Sequence, residues 1–200
     1  MITPLSYSYQ TPYNDIHDVS DISDASGVIT EPVSVIEIKN FMRLEGFEND
    51  QESGELLFSS DDLLIGELIT SAREGLERWC GISIIEHRWQ VLFTNQIGNI
   101  ELPYSNNATI VSLSNSDNVI ITSDNYLFRG TSFKYMASPG YDNMTVVYTS
   151  GYAVGDVPKR LKQAIMRDVV FHYENRGEKG LSSDAMGLAS SFKRVSTWLA

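Results

Sequence analysis

VPKRLKQAIMRDVVFHYENRG, residues 157–177, is the stretch that decides the fold. Pro158 stands where a first helical turn tolerates a missing N–H, and Gly177 stands where a helix would stop. Between them, apolar residues recur at the spacing of one helix face, with a second strip beside it. The first face holds Leu161, Ala164, Ile165, Asp168, Val169 and His172, and the second strip holds Met166, Val170 and Tyr173. Such a helix must be covered on two sides, either by the core alone or by the core and a neighbouring subunit.

Two helices are predicted before this segment and one after it. Ser34 and Glu37 have the spacing of a capping box, which predicts a short helix from Ser34. Residues 60–81 follow the amphipathic template, with Ile65, Leu68, Ile69, Ala72, Leu76 and Trp79 on one face. Residues 178–187 are flexible by composition, and a weaker pattern over 188–199 predicts a last helix.

Between the second and the long helix, the apolar period changes to two. Trp89, Val91 and Phe93 alternate with polar residues, as on a strand with one buried face. Further strands are predicted at 99–102, 109–113, 119–122, 126–129, 132–136 and 144–148, with turns between them, one at Pro103. The fold class is therefore α+β: a small helical bundle with an antiparallel β-sheet, sandwich or open barrel, inserted between the second and third helices. The helical domain spans 33–82 and 156–200, and the β domain spans 83–155.

Residues 1–32 are predicted to be an extended acidic N-terminal arm. The stretch is rich in Tyr, Ser, Thr and Asp and cannot bury enough apolar surface to offset its ordering entropy. We expect it to order against a neighbouring molecule. Tyr7, Tyr9 and Tyr13 are its candidate anchors, since tyrosine brings a large contact area at small rotamer cost.

The net charge of −11 lies entirely in the first third of the chain. Residues 1–62 hold thirteen acids and two bases, the rest is neutral, and residues 157–200 hold eight bases and four acids. This distribution argues against a nucleic-acid-binding protein, which would show a strongly basic domain. It suits an assembly in which the acidic end of one copy meets the basic end of another, or simply solvated faces.

Catalytic, metal-binding and membrane motifs are absent from the sequence. Cys80 is the only cysteine, and no paired nucleophile, phosphate loop or metal-ligand spacing occurs. His172 is the best-placed histidine, and a hydrogen-bonded helix histidine is the favoured interpretation. No apolar run is long enough to cross a bilayer, and no secretion signal is present. We therefore predict no catalytic residue, metal or cofactor and no membrane contact.

Three short sequence patterns follow one another between Ser34 and Gly177, each occurring once. They consist of Ala72, Arg73, Glu77 and Gly81 on the second helix, Trp89, Tyr148, Gly151 and Tyr152 in the β segment, and Val157, Pro158, Lys162, Ala164, Ile165, Tyr173, Asn175 and Arg176 on the long helix. The ordered series resembles the head-to-tail connector (adaptor) family of tailed bacteriophages. The resemblance covers about 70% of the chain.

Members of this family form helical bundles that assemble as a ring, usually of twelve copies, beneath the portal. The resemblance implies a structural virion protein, not an enzyme, that extends the DNA channel and connects capsid to tail. The implied partners are the portal protein, a stopper or tail protein, further copies of the chain, and DNA that passes without sequence-specific binding. An acidic channel would agree with this because it repels phosphates. The implied location is the virion neck, and the host cytoplasm during assembly.

The resemblance also suggests which residues make contacts. Because the carboxyl-terminal segments of the family commonly engage the portal, the candidate portal contacts are Leu188, Phe192, Lys193, Arg194, Val195, Trp198 and Leu199. The candidate subunit contacts have two origins. Tyr7, Tyr9 and Tyr13 are the anchors inferred for the arm, which lies outside the resemblance. The charge distribution and the resemblance together add Lys159, Arg160, Lys162, Met166 and Tyr173 on the long helix. Two alternatives stay open: another neck or tail-completion protein, such as a stopper or tail terminator, or a small hydrolase or binding domain whose site is assembled from distant residues.

Overall fold

Four α-helices and eight β-strands form the part of the chain that the computed structural model describes, residues 10–11, 14–21, 30–43, 60–94, 99–130, 133–137 and 143–194. The helices are α1 (Val35–Met42), α2 (Ser60–Cys80), α3 (Lys159–Glu174) and α4 (Ser183–Ala189). The strands are β1 (Gln10–Thr11), β2 (Asn14–Asp21), β3 (His87–Thr94), β4 (Asn99–Asn106), β5 (Thr109–Asn115), β6 (Leu127–Arg129), β7 (Phe133–Ala137) and β8 (Asn143–Ser150). They form two compact units, a β unit and a helical unit, with boundaries at 29/30, 80/81 and 153/154.

The β unit consists of two antiparallel sheets that share one apolar core. The strand orders are β1-β2-β3-β8-β5 and β4-β7-β6. Along β3, Val91 and Phe93 are fully buried while Arg88 is exposed, as the period of two predicted. Ile100 of β4 and Met136 of β7 belong to the same buried cluster. The predicted fold class, a helical bundle with an antiparallel sheet between the second and third helices, is confirmed.

The predicted turn at Pro103 is wrong, because β4 runs through this residue. β4 is an edge strand of the three-stranded sheet, where a missing N–H is tolerated. Its pairing with β7 is irregular between Glu101 and Asn106. The hydroxyl of Tyr148 on β8 donates a hydrogen bond to the carbonyl of Pro103. This bond therefore links the two sheets inside the core.

Residues 14–21 do not behave as an arm that needs a neighbouring molecule. They form β2, which pairs antiparallel with β3 of the same chain and places Ile16 opposite Phe93. β8 forms hydrogen bonds with one edge of β3. The N–H and C=O groups on the other edge of β3 still need hydrogen-bond partners, and because these bonds involve only the backbone, a polar segment such as β2 can supply them. The candidate anchors Tyr7, Tyr9 and Tyr13 lie outside the described residues.

A buried polar network closes the β unit where the chain enters and leaves it. Ser83 N–H donates to Asn106 Oδ1 at 2.7 Å, and Asn106 Nδ2 donates back to the Ser83 carbonyl at 2.8 Å. Gly151 N–H donates to the Asn106 carbonyl at 3.0 Å. Gly151 has φ +116°, and a Cβ there would lie 2.0 Å from the carbonyl oxygen of Ile85. Only glycine fits this backbone, which explains its place in the sequence pattern.

The helical unit follows the sequence signals closely at α1 and α3. Ser34 and Glu37 form the predicted capping box at the start of α1, and Arg43 ends the helix in a left-handed conformation. α3 begins directly after Pro158. Its fully buried residues are Leu161, Ala164, Ile165 and Val169. The first apolar face predicted for the long helix therefore forms its core contact.

The predicted last helix over 188–199 is displaced. The structure has α4 at Ser183–Ala189 and a 3-10 turn at Ser190–Phe192, so the helix lies largely in the segment expected to be flexible. Ser182 caps it by accepting a hydrogen bond from the Ala185 N–H at 3.3 Å. Its fully buried residues are Ala185 and Ala189, one turn apart. Alanine contributes little to an apolar periodicity but allows close helix packing. The periodicity therefore gave only a weak signal for α4.

Candidate assembly interface

A buried ion cluster fixes the segment before α1 to the middle of α2. Arg73 is 1% exposed; its Nε donates to Glu31 Oε2 at 2.8 Å, and its Nη1 donates to Glu77 Oε2 at 2.8 Å. Thr70 Oγ1 donates to Glu31 Oε1 at 2.9 Å. Burial by itself lowers the pKa of Arg73, but the charges of Glu77 and Glu31 outweigh it and raise the pKa above its usual value. The guanidinium therefore stays charged, and the chain enters the helical unit at a fixed point.

A second buried carboxylate joins α3 to the beginning of α4. Asp168 is 2% exposed, and its Oδ1 accepts a hydrogen bond from the Ser182 N–H at 2.7 Å. One turn later, His172 Nε2 lies 2.8 Å from the carbonyl oxygen of Gly180, to which it donates. His172 is thus the hydrogen-bonded helix histidine that the sequence favoured, and it holds the α3–α4 connection.

The candidate subunit contacts on α3 are partly uncovered within the helical unit. Lys159 and Arg160 are exposed, and Lys162, Met166 and Tyr173 are half-buried. Tyr173 also has contacts inside the chain, because its hydroxyl donates to Asp61 Oδ2 at 3.4 Å. The second apolar strip of α3 is therefore neither wholly buried nor free, and a subunit contact there stays a proposal.

The candidate portal contacts divide into described and undescribed residues. Leu188 and Phe192 are half-buried, and Lys193 lies over the ring of Trp79, 4.4 Å from its centroid. The Arg194 N–H donates to the carbonyl of Cys80 at 2.7 Å, which holds residues 193–194 at the end of α2. Val195, Trp198 and Leu199 lie outside the described residues.

A groove with a volume of 440 Å³ opens between α1, α3 and α4. Its lining includes Phe41 of α1, Gln163 and Arg167 of α3, and Asp184, Gly187 and Leu188 of α4. The Arg167 guanidinium lies 5.4 Å from the centroid of the Phe41 ring, a cation–π geometry. The groove thus combines apolar walls with the Arg167 cation and the Asp184 carboxylate, and it has room for an apolar side chain.

Exposed apolar side chains mark surface positions that the sequence analysis missed. Leu63 at the start of α2 is 73% exposed, and Ile120 of the β unit is 71% exposed. Ile120 lies in the predicted strand 119–122, which is only a single bridge to Ser114. A usable signal existed for Leu63: it precedes Ile65 by two residues and so falls off the buried face of the helix.

Cys80 is a structural thiol, and we expect it to be unreactive in the folded protein. It is 1% exposed, and burial raises its pKa to about 11, although Lys193 acts in the opposite direction. Because only the thiolate is nucleophilic, labelling by a thiol reagent at pH 8 should be roughly 100-fold slower in buffer than in urea. Equal rates in the two solvents would contradict the burial. The variant Cys80→Ala supplies the background.

The described ranges show no metal site. There, no group of three or more His, Cys, Asp or Glu side chains is arranged to hold a metal ion. None of the described helices combines the length and the hydropathy that crossing a membrane would require.

Comparison with solved structures places this architecture among neck chains of gene transfer agent (GTA) particles. A chain from the neck of the empty particle, computed with C6 symmetry, has a TM-score of 0.70 at 14% identity. A chain from the neck of the native particle, computed with C12 symmetry, has a TM-score of 0.67 at 14% identity. A chain from the virion of the native particle has a TM-score of 0.66 at 15% identity. Each match covers 91% of this chain and 98% of the other.

At this identity the likeness establishes the fold, which is that of these neck chains. Neither a protein-family model nor a curated protein sequence matches the chain.

Proposed function

We propose that this chain is a structural head-to-tail connector: its copies form a ring in the neck of a virion, beneath the portal, that joins capsid to tail. The observation that carries the proposal is the likeness to the GTA neck chains over 91% of this chain and 98% of theirs. The necks that contain those chains were computed with sixfold and twelvefold symmetry. A ring of twelve copies agrees with both symmetries.

The electrostatics of the chain support a passage for DNA rather than a DNA-binding site. The net charge is −11. A protein that holds nucleic acid supplies lysine and arginine to the phosphates, whereas an acidic ring repels them and lets DNA slide. DNA is therefore a passing partner without sequence-specific contacts. The portal on one side and a stopper or tail protein on the other are the protein partners.

The buried polar groups support a structural rather than a catalytic role. The charged side chains of Glu31, Arg73 and Glu77 satisfy one another, and Asp168 accepts the N–H that opens the α4 cap. These groups fix elements to one another, and none of them lines the groove between α1, α3 and α4. We propose that the protein is not an enzyme. Residues 188–199 remain the proposed portal contact.

The proposed function predicts rings that electron microscopy can see. Purified protein, alone or mixed with the portal protein of the same particle, should give rings with a central channel, and the complex should show the ring on one face of the portal. A truncated chain ending at Arg194 should keep the helical circular dichroism signal of the full chain and should bind the portal more weakly.

Two results would change the proposal. A protein that stays monomeric at micromolar concentration with portal present would refute the connector ring. Rings that ignore the portal but bind the tail side would reassign the chain to the stopper or terminator class.

A further inference from the structure

The proposed ring requires two different contact surfaces on each subunit. In a cyclic ring of more than two copies the interface is heterologous: one surface of each copy meets a different surface of the next. Given the proposed ring, two surfaces of the helical unit fit this requirement.

The first surface is the Leu63 strip of α2, which we define as Leu63, Gly66, Glu67 and Glu74. These positions are spaced so that they lie along one side of the helix. Leu63 is 73% exposed, Glu74 is 51% exposed, and Glu67 is exposed as well. The strip is therefore an apolar knob followed by two carboxylates. Leu63 offers an apolar side chain that a partner can bury, and the two carboxylates beside it add the charge.

The second surface is the groove between α1, α3 and α4, together with the exposed side of α3 that continues from it. Phe41 and Leu188 supply apolar contacts in the groove, and Arg167 lies at its α3 wall. Arg160 is exposed two turns earlier on α3. The described lining of the groove contains no α2 residue, and on α4 it includes the carboxylate of Asp184. The positive charge therefore lies on α3, at Arg167 in the groove wall and at Arg160 beyond it. The strip and this side of α3 are thus separate surfaces with opposite charge.

The spacing of the charges on the two surfaces is equal. Glu67 and Glu74 are seven residues apart, and so are Arg160 and Arg167. In each helix this is about two turns, or about 10.5 Å. If the two helices run antiparallel, Glu67 can meet Arg167 while Glu74 meets Arg160. The α3 wall of the groove runs from Gln163 to Arg167. Leu63, one turn before Glu67, then falls at the Arg167 end of this wall, where the Phe41 ring packs against the guanidinium.

Two helix glycines give an independent indication of close approach. Gly66 lies beside Leu63 on α2, and Gly187 lines the groove on α4. A Cβ built on either residue would meet nothing within 4 Å. Packing within the chain therefore does not explain these glycines, although glycine inside a helix is unfavourable relative to alanine. A bare backbone at both positions allows a second helix to come close.

We propose that the Leu63 strip of one subunit docks in the α1–α3–α4 groove of the next subunit, with Leu63 against Phe41 and with the two carboxylates facing Arg167 and Arg160. Leu188, near the end of α4, stays with the proposed portal contact. The occupant of the groove is a second copy of this chain. Repetition of this one contact around the axis closes the ring.

A mixing experiment with two single variants tests the contact. Leu63→Glu places a charge at the apolar end of the strip, and Gly187→Phe fills the groove. Both variants should keep the wild-type circular dichroism spectrum, because Leu63 is exposed and the space at Gly187 is open. Each variant alone should be monomeric, with at least a tenfold loss of ring affinity. The equimolar mixture should stop at heterodimers, because one intact strip and one intact groove remain. Ile120→Glu, at 71% exposure on the β unit, is the matched control and should still form rings.

The possible outcomes distinguish a failure of the proposed subunit interface from a failure of the proposed connector function. Masses are read by mass photometry after brief glutaraldehyde fixation, with portal present if the wild type needs it. Heterodimers in the mixture support the proposal, and so does restored ring formation when Glu67→Arg and Glu74→Arg are combined with Arg160→Glu and Arg167→Glu. Rings from either single variant, or only monomers in the mixture, overturn the interface and leave the connector function standing. A wild type that forms no ring under any of these conditions overturns both.

Discussion

Replacing Arg73 by Met is expected to destabilise the helical unit by about 3–5 kcal/mol, the usual cost of removing one partner from a buried ion pair. Methionine fills much of the same volume, so the loss is electrostatic rather than a cavity effect. Without the guanidinium, Glu31 and Glu77 lose the cation that both contact at 2.8 Å. Urea unfolding followed by circular dichroism at 222 nm measures the change.

A control on the same helix distinguishes the ion cluster from helix propensity. Arg78 is exposed, so any ion pair that it makes is screened by solvent, and Arg78→Met should change the free energy of unfolding by less than about 1 kcal/mol. In a double-mutant cycle, Arg73→Met and Glu31→Gln should be non-additive, because the two side chains share one contact. Equal effects of the Arg73 and Arg78 substitutions would show that the cluster contributes nothing specific.

Replacing Gly151 by Val is expected to prevent stable folding of the β unit, with a loss of more than about 4 kcal/mol. Two independent costs act together. The backbone at φ +116° is unfavourable for a β-branched residue, and the new Cβ would lie 2.0 Å from the carbonyl oxygen of Ile85. Relief of that overlap would break the bond between the Gly151 N–H and the Asn106 carbonyl. Limited proteolysis reports on the β unit, and so does the fluorescence of Trp89 once Trp79 and Trp198 are replaced by Phe.

Gly155 provides the comparison for this substitution. It lies four residues further along the chain, and a Cβ there would meet nothing within 4 Å. Gly155→Ala should therefore stay within about 0.5 kcal/mol of the wild type. A Gly151→Val protein as resistant to protease as Gly155→Ala would mean that the Ile85 contact is not a constraint.

Local signals in the sequence predicted most of the elements. The capping box at Ser34 and the alternation around Val91 each involve residues within a few positions of one another, so the pattern contains the whole physical cause. The same holds for the buried face of α3, where Leu161 and Ile165 lie one turn apart. The α4 helix was misplaced because its buried face is alanine, which contributes little to an apolar periodicity.

The candidate site was predicted less completely than the fold. Lys159 and Arg160 were chosen from the charge distribution and the resemblance; both are exposed, and a subunit contact there stays a proposal. The groove was not foreseen, because Phe41, Arg167 and Leu188 come from three helices that the sequence does not place beside one another. Leu63 was missed because the periodicity was used to find the buried face of α2, and the apolar residues that fall off that face were not followed up.

The sequence by itself determined the α+β class, the main helices and strands, and the charge difference between the two ends of the chain, since each depends on neighbouring residues or on composition. Only the tertiary structure decided that Glu31 meets Arg73, that Gly151 passes against Ile85, that residues 14–21 complete a sheet, and that a groove opens beside Phe41. These contacts join residues far apart in the chain. Their energies depend on distance in space, which local periodicity does not encode.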